Sequence, residues 1–361
     1  MKTNSPHTAK HSFLVMTFGA KGIGDHVSCT SFIKNLARNR PDAAIDVGAF
    51  SPIGAEIFKH DPHIRDIHLL DMDYLKIGGA YGCLDKARFI SRFRSMHYDT
   101  IYVLGTKFRH AVFAFLTGAR KRVGYANHFR GFLLTKTGSE PVQKNIAERF
   151  LDLLVLDGMQ VHDPWIEMYV SEAERIAVEK QYADQGIGPG DQILALAPFA
   201  ADMRRTWGPG RFWQVAHHFA QKGKKVILLG SRQDWAALQK EPPPGHPNLI
   251  DLVGSLRVLE TAVAIQKSAL FLGNDSGLGH IAGAVGARTL IIGYHVTREW
   301  YPLAPLVRTI IRDTCPACHV GDCYDRSGGK PECFSKVTVE EVITEVEGML
   351  SASIHPREIR H

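Results

Sequence analysis

The sequence predicts an α/β protein made of two open parallel sheets in tandem. Three observations carry that expectation. Short apolar runs alternate with helical stretches over residues 12–125 and again over 192–292, the pattern of strands joined by crossover helices. A glycine- and proline-rich stretch at 186–190 separates the two series, the strongest linker signal in the middle of the chain. The chain has 361 residues, more than one hydrophobic core usually serves. The expected division is an N-terminal domain over 1–170, a linker region over 171–190 and a C-terminal domain over 191–361.

Taken in order, residues 12–18 are an apolar strand, 19–24 a glycine-rich turn and 25–39 a helix. Strands are expected at 44–50, 64–70, 100–104 and 122–125, with helices at 86–96 and 108–116. Residues 145–156 read as helical, 166–170 as extended, and Ser171 opens a charged helix to about 185. The alternation then restarts, with strands at 192–197, 225–229, 249–253, 269–272 and 289–292. Helices at about 210–221, 233–240 and 258–267 separate them. A last helix over 337–350 is opened by Thr338 with Glu341 three residues on, a capping box. Open sheets of this kind bind ligands at the C-terminal ends of their strands. Two such edges facing each other would make a cleft.

Composition sets the broad class. Hydrophobic content of 45% and charged content of 22% fit a folded soluble protein rather than a disordered one. The chain has no run of 18 apolar residues, and residues 1–11 are polar, so neither a membrane span nor a signal peptide is expected, and a cytoplasmic location follows. The net charge of +6 leans towards anionic partners without choosing among nucleotide, nucleic acid and membrane.

The stretch from Phe271 to His280 is the most informative. A buried strand runs into Asn274-Asp275-Ser276, which offers N-cap chemistry for the next helix. Gly277 and Gly279 clear side chains from the backbone, and a helix N-terminus presents free N–H groups to a phosphate. The plainer alternative is a capped helix with a packed His280. Gly22-Ile-Gly-Asp-His26 follows the first strand but does not fit the G-x-G-x-x-G dinucleotide fingerprint. It offers Asp25 as a general base, or as a first-turn acid that merely complements the helix dipole. Arg204 and Arg205 lie beyond the strand at 192–197, where they could clamp a diphosphate or belong to a solvated loop anchored by Trp207. Asp234 lies four residues past Gly230 and reads equally as a ribose ligand or a helix cap. Asp71-Met-Asp73 is a lone D-x-D and reads as a loop.

Four of the six cysteines, Cys315, Cys318, Cys323 and Cys333, cluster near the C-terminus. In a reducing compartment that clustering points to a structural zinc or iron rather than disulfides. The spacing is not that of a standard zinc ribbon, and four plain thiols are the alternative.

These motifs in this order resemble the ADP-heptose:lipopolysaccharide heptosyltransferases, glycosyltransferase family 9. The carriers are Gly24-Asp25, Tyr98-Asp-Thr-Ile101, Arg122-Val-Gly124, Arg205-Thr-Trp207, Gly230 to Asp234, Asp251-Leu-Val-Gly254 and Asn274-Asp-Ser-Gly-Leu-Gly-His280. The resemblance spans residues 13–350. It implies the GT-B fold, two Rossmann-like domains facing across a cleft, and inverting transfer from a nucleotide sugar without a catalytic metal. By position, Asp25 matches the base; Asp275, Ser276, Gly277, Leu278, Gly279 and His280 match the donor turn; Asp234 matches the acid near the donor ribose. Arg205 stands where the family usually has Lys before x-Trp-Pro, and Arg-Thr-Trp-Gly-Pro departs from that pattern. The implied donor is ADP-heptose and the implied acceptor an anionic inner-core glycolipid, with the enzyme peripheral to the inner membrane and no nucleic acid involved. A protein or other envelope glycan as acceptor, or a silent nucleotide-binding protein, are the alternatives.

Residues 86–130 hold ten Lys or Arg and a single acid, Asp99. Arg88, Arg92, Lys107, Arg109 and Arg120 are expected to form the acceptor and membrane side of the N-terminal domain, the alternative being a solubilising basic surface.

Overall fold

The computed structural model describes residues 11–18, 22–76, 80–127, 129–201, 206–293, 299–312 and 332–352. The chain forms two units, Met1–Tyr169 and Val170–His361. The boundary therefore falls just ahead of the 171–190 stretch.

The first unit runs β1 (His11–Met16), α1 (Ile23–Val27), α2 (Thr30–Asn39), β2 (Ala43–Ala49), α3 (Pro52–Phe58), β3 (Asp66–Leu69), α4 (Cys83–Arg94), β4 (Thr100–Val103), α5 (Phe108–Leu116), β5 (Lys121–Tyr125), β6 (Lys136–Gly138) and α6 (Ile146–Leu156). Its sheet has the order β3-β2-β1-β4-β5-β6, and every pairing is parallel. Phe13, Leu14, Val15 and Met16 of β1 are all buried, as expected of a central strand covered by helices on both faces. On one face Leu14, Met16, Ile101 and Val103 pack with Phe93 of α4 and Phe113 of α5.

The Tyr98-Asp-Thr-Ile101 motif finds a structural explanation here. Asp99 accepts the Ser12 N–H at 2.9 Å and so hooks the start of β1 to β4. Tyr98 donates to Asp46 at 2.7 Å, and Arg65 grips the same carboxylate at 2.9 and 2.6 Å. Burial pushes the Asp46 carboxyl up, but hydrogen bonds from His68, Arg65 and Tyr98 outweigh it and hold the group down at about 2.

The expected helix at 25–39 is two helices. Cys29 N–H turns back to the His26 carbonyl at 3.0 Å, tightening the chain between α1 and α2. Residues 166–170, expected to be extended, join neither sheet.

The second unit runs α7 (Glu172–Asp184), β7 (Ile193–Ala197), α8 (Pro209–Gln221), β8 (Lys225–Leu228), α9 (Trp235–Lys240), β9 (Leu249–Asp251), α10 (Val258–Gln266), β10 (Leu270–Asn274), α11 (Gly277–Ala284), β11 (Thr289–Ile292) and β12 (Val307–Ile310), and closes on the helix Val339–Ser351. The order is β12-β11-β10-β7-β8-β9, again all parallel. Read from its own first strand, this is the topology of the first unit. Leu194, Leu196, Leu270 and Leu272 pack with Phe212 and Phe219 of α8 and with Val342 and Val346 of the last helix. Thr338 caps that helix by accepting the Glu341 N–H at 3.2 Å, whereas the Glu341 carboxylate pairs with Arg312. No helix among the described residues is long and apolar enough to cross a membrane.

Each sheet has one switch point, where neighbouring strands send their connections in opposite directions. It lies between β1 and β4 in the first unit and between β7 and β10 in the second. Open α/β sheets hold ligands in the crevice beyond the strand ends at this point.

Candidate functional site

Asp25 sits in α1, on the connection that leaves β1 at the switch point of the first unit. It occupies the third helical position and is half-buried. Burial raises its pKa to about 6, against a lowering hydrogen bond from the Gly22 backbone. Such a carboxylate is ionised at neutral pH yet keeps some basicity, the property a general base needs. Its neighbour His26 is buried, with Nδ1 2.9 Å from the Gly22 carbonyl. The imidazole lies flat against Gly54 of α3, where a Cβ would come within 2.2 Å of the ring. Gly54 thus lets α1, and Asp25 with it, seat against α3.

The C-terminal ends of β2 and β3 open into a cleft of about 620 Å³ in the first unit, lined by Phe50, Ser51, Asp71, Asp73, Lys107 and Arg109 among others. Asp71 and Asp73, read from sequence as a loop, lie on its wall in a short 3-10 helix over Met72–Leu75 that Asp71 caps. Asp71 accepts from Tyr81 at 2.6 Å and from the Asp73 N–H at 2.9 Å, and Asp73 pairs with Lys76 at 2.7 Å. Lys107 and Arg109 come from the N-terminus of α5, on the connection leaving β4.

The five cations expected on one side are separated. Arg120 immediately precedes β5 and so lies at the opposite, N-terminal edge of the sheet from Lys107 and Arg109. Arg88 and Arg92 are exposed on α4, Arg88 facing Asp85 at 3.8 Å and Arg92 lying 5.6 Å from the Phe93 ring. None of these three lines the cleft. A sequence window gathers residues that follow and precede strands, and these emerge at opposite sheet edges.

Sequence reasoning missed His110 and Arg130. Both are buried, and both lie by the start of α5. Arg130 donates to the carbonyls of Tyr125 and Gly105 at 2.7 and 2.6 Å. His110 stacks on the cleft residue Phe50 with ring centres 4.6 Å apart. Arg130 was visible in the basic window, but nothing local marks a cation as buried.

In the second unit the turn expected to hold the donor leaves β10 at the switch point. The N-cap of α11 falls within the Asn274-Asp275-Ser276 string, as expected. Ser276 alone is the N-cap, and its hydroxyl makes no capping bond; the Oγ is buried without a partner among the described residues. Asn274 instead reaches across the crevice to the segment after β7, accepting the Trp207 N–H and donating to the Pro198 carbonyl, each at 2.8 Å. Trp207 is itself buried, with its indole donating to Val337 at 2.9 Å. Asp275, Gly277 and Leu278 are half-buried along the opening of α11. Gly279 lies against Ile291, where a Cβ would meet Cδ1 at 2.6 Å, which holds the helix start down on the sheet.

His280 is buried in the next turn. Burial lowers its pKa to about 4 against a hydrogen bond to the Trp300 backbone, and Nδ1 has no partner among the described residues. The buried imidazole therefore favours its neutral form.

Asp234 is the N-cap residue of α9, but its side chain makes no capping bond; Oδ2 accepts instead from the N–H and hydroxyl of Ser231 at 2.7 and 2.8 Å. This folds the strand end back on itself and fixes the carboxylate beyond β8. Arg204, Arg205, Cys315, Cys318 and Cys323 lie outside the described residues. Cys333 is buried in the core of the second unit.

With this geometry in place, comparison with known proteins assigns the chain a lineage. The model of glycosyltransferase family 9 (heptosyltransferase) matches residues 86–323. Lipopolysaccharide heptosyltransferase 2 of Escherichia coli K12 is 24% identical over 361 residues, covering 93% of this chain and 98% of its own. Lipopolysaccharide heptosyltransferase 3 of the same strain is 27% identical over 273 residues, covering 73% and 77%. Among solved structures, a glycosyl transferase family 9 protein from Veillonella parvula superposes with a TM-score of 0.81 at 19% identity over 96% of this chain and 99% of its own. The E. coli ADP-heptose LPS heptosyltransferase II gives 0.76 at 19% identity over 94% and 98%.

Proposed function

The chain belongs to glycosyltransferase family 9, and from that premise we propose that it transfers a heptose from ADP-heptose to an inner-core sugar of lipopolysaccharide. The donor and acceptor follow the names of its relatives, lipopolysaccharide heptosyltransferases and an ADP-heptose LPS heptosyltransferase. The reaction is an in-line displacement with inversion. An acceptor hydroxyl attacks the anomeric carbon, Asp25 takes its proton, and ADP departs with the electrons of the broken bond. The observation that carries this reading is the Asp25 carboxyl, raised to about 6 on the connection leaving β1 at the switch point.

The donor belongs to the second unit. The N-terminus of α11 at Ser276 and Gly277 offers backbone N–H groups and the positive end of the helix dipole to the leaving diphosphate. The Ser276 hydroxyl adds a donor. His280, being neutral, supplies at most an uncharged hydrogen bond. Arg205 supplies charge, and Asp234 receives the ribose hydroxyls. The acceptor belongs to the first unit, beside Lys107 and Arg109. Their charge would also draw the protein to an anionic membrane surface on the cytoplasmic side.

The test is a panel of nucleotide sugars. ADP-heptose should raise the melting temperature and be turned over with a heptose-deficient core oligosaccharide, each more than ADP-glucose, UDP-glucose or GDP-mannose. Stabilisation by a uridine or guanosine donor alone would replace the proposed donor.

A further inference from the structure

We propose that Arg109, His110 and Arg130, at the start of α5, form a phosphate site that receives a phosphorylated substituent of the acceptor glycan. The proposal rests on the reading of the first unit as the acceptor side and adds to it a specific chemical group. Arg130 is fully buried, with Nε and Nη1 committed to backbone carbonyls. Its Nη2 has no partner among the described residues. Arg109 Nε and both ring nitrogens of His110 are in the same condition. A neutral imidazole carries one N–H, so three buried donor groups around one helix start await an acceptor. Leaving such donors unpaired is costly; Arg109, Arg130 and Lys107 all lie near enough to act on the His110 imidazole, and a multi-oxygen anion there would have more than one of these donors to accept from.

The setting favours an anion in two further ways. The unpaired N–H groups of α5 begin at the same place, and its N-cap residue, Lys107, provides no capping side chain. Lys107, Arg109 and Arg130 have no carboxylate ion pair among the described residues; Glu140 acts on Arg130 only at longer range and is itself held by Asn127 and Arg149, and the acids across the cleft are already held by Tyr81 and Lys76.

The geometry points to phosphate rather than carboxylate. Arg130 has spent one edge of its guanidinium on backbone and cannot present a two-pronged fork there. His110 contributes one ring N–H, and the buried Nε of Arg109 comes from a separate side chain. Planar carboxylates are best served by forks, while separated donors suit a tetrahedral group with several oxygens. His110 reports on the site because it stacks on Phe50, a residue of the cleft wall.

The test is an NMR titration of the full chain labelled with 15N-histidine, using inorganic phosphate, glucose 6-phosphate, glucose and acetate. Phosphate should shift the His110 ring signals, glucose 6-phosphate should do so at lower concentration, and glucose or acetate should not at matched concentration. Arg109→Gln should raise the phosphate Kd about tenfold or more, the weight of a charge-assisted hydrogen bond, with the melting temperature unchanged. His110→Phe, which keeps the stack on Phe50, should weaken phosphate binding by calorimetry. Unmoved His110 signals, an unchanged Kd in Arg109→Gln, or acetate binding as tightly as phosphate would each overturn the proposal. Glucose 6-phosphate no tighter than inorganic phosphate would overturn its assignment to a glycan substituent. ADP-heptose stabilisation is read separately, so failure here is distinct from a wrong donor.

Discussion

The side-chain amide of Asn274 accepts the Trp207 N–H at 2.8 Å and donates to the Pro198 carbonyl at the same distance. One buried side chain therefore ties the end of β10 to both ends of the segment that carries Arg205. Asn274→Ala would leave a backbone donor and acceptor buried and unpaired, costing about 1–3 kcal/mol for each. Asn274→Asp keeps the acceptor but sets a carboxylate oxygen against the Pro198 carbonyl. Both should lower the melting temperature and weaken donor binding. Donor affinity equal to wild type in a destabilised Asn274→Ala would show that the tie serves stability alone.

Asp25→Asn should abolish transfer and stabilise the fold. The folded pKa, about 6, lies above the ordinary aspartate value of 3.8. The ionised form is thus disfavoured in the native state, and that penalty is present above pH 6 and relieved as pH falls through it. Removing the charge should return up to about 2–3 kcal/mol at pH 7. Wild-type kcat/KM should rise with pH through an apparent value of about 6. A variant that keeps its turnover would reduce Asp25 to a helix-start acid.

His280→Gln should weaken donor binding by about 0.5–1.5 kcal/mol, the scale of an uncharged hydrogen bond. With its pKa at about 4, the imidazole is neutral throughout the ordinary histidine range. Donor affinity should therefore show no histidine titration between pH 8 and 5.5 in calorimetry. An affinity that climbs through pH 6.5 in the wild type and not in His280→Gln would reinstate a charged partner. Arg205→Ala should cost more, about 1.5–3 kcal/mol, because its charge does not titrate.

Lys107→Gln combined with Arg109→Gln should raise the acceptor KM and weaken binding to anionic vesicles, less so at high salt. The matched pair Arg92→Gln with Arg120→Gln should change the acceptor KM little. These residues lie on the surface of α4 and at the opposite edge of the sheet. Equal effects of the two pairs would mean that overall charge matters and position does not.

Metal analysis of protein purified under reducing conditions should find about one zinc or iron per chain, held by Cys315, Cys318, Cys323 and Cys333. Cys318→Ser should lose the metal and lower the melting temperature with turnover nearly kept. Metal-free protein of unchanged stability would leave four ordinary thiols.

What the sequence determined by itself is local and periodic. The alternation of apolar runs and helical stretches specified two parallel sheets, because strand and helix periods are written in adjacent residues. The glycines of 273–279 and the acid at position 25 marked the ends of β10 and β1 at the two switch points, because backbone clearance and first-turn chemistry are also local. Only the tertiary structure decided what depends on distant neighbours. Asn274 looked like a cap and became a tie to Trp207, 67 residues away. Arg130 looked like one more surface cation and is buried under Gly105, 25 residues away. His280, read either as part of the donor turn or as a packed residue, is buried, and that burial favours its neutral form. Charge state and hydrogen-bond partner are set by burial, and burial is a property of the packed chain that no window of sequence contains.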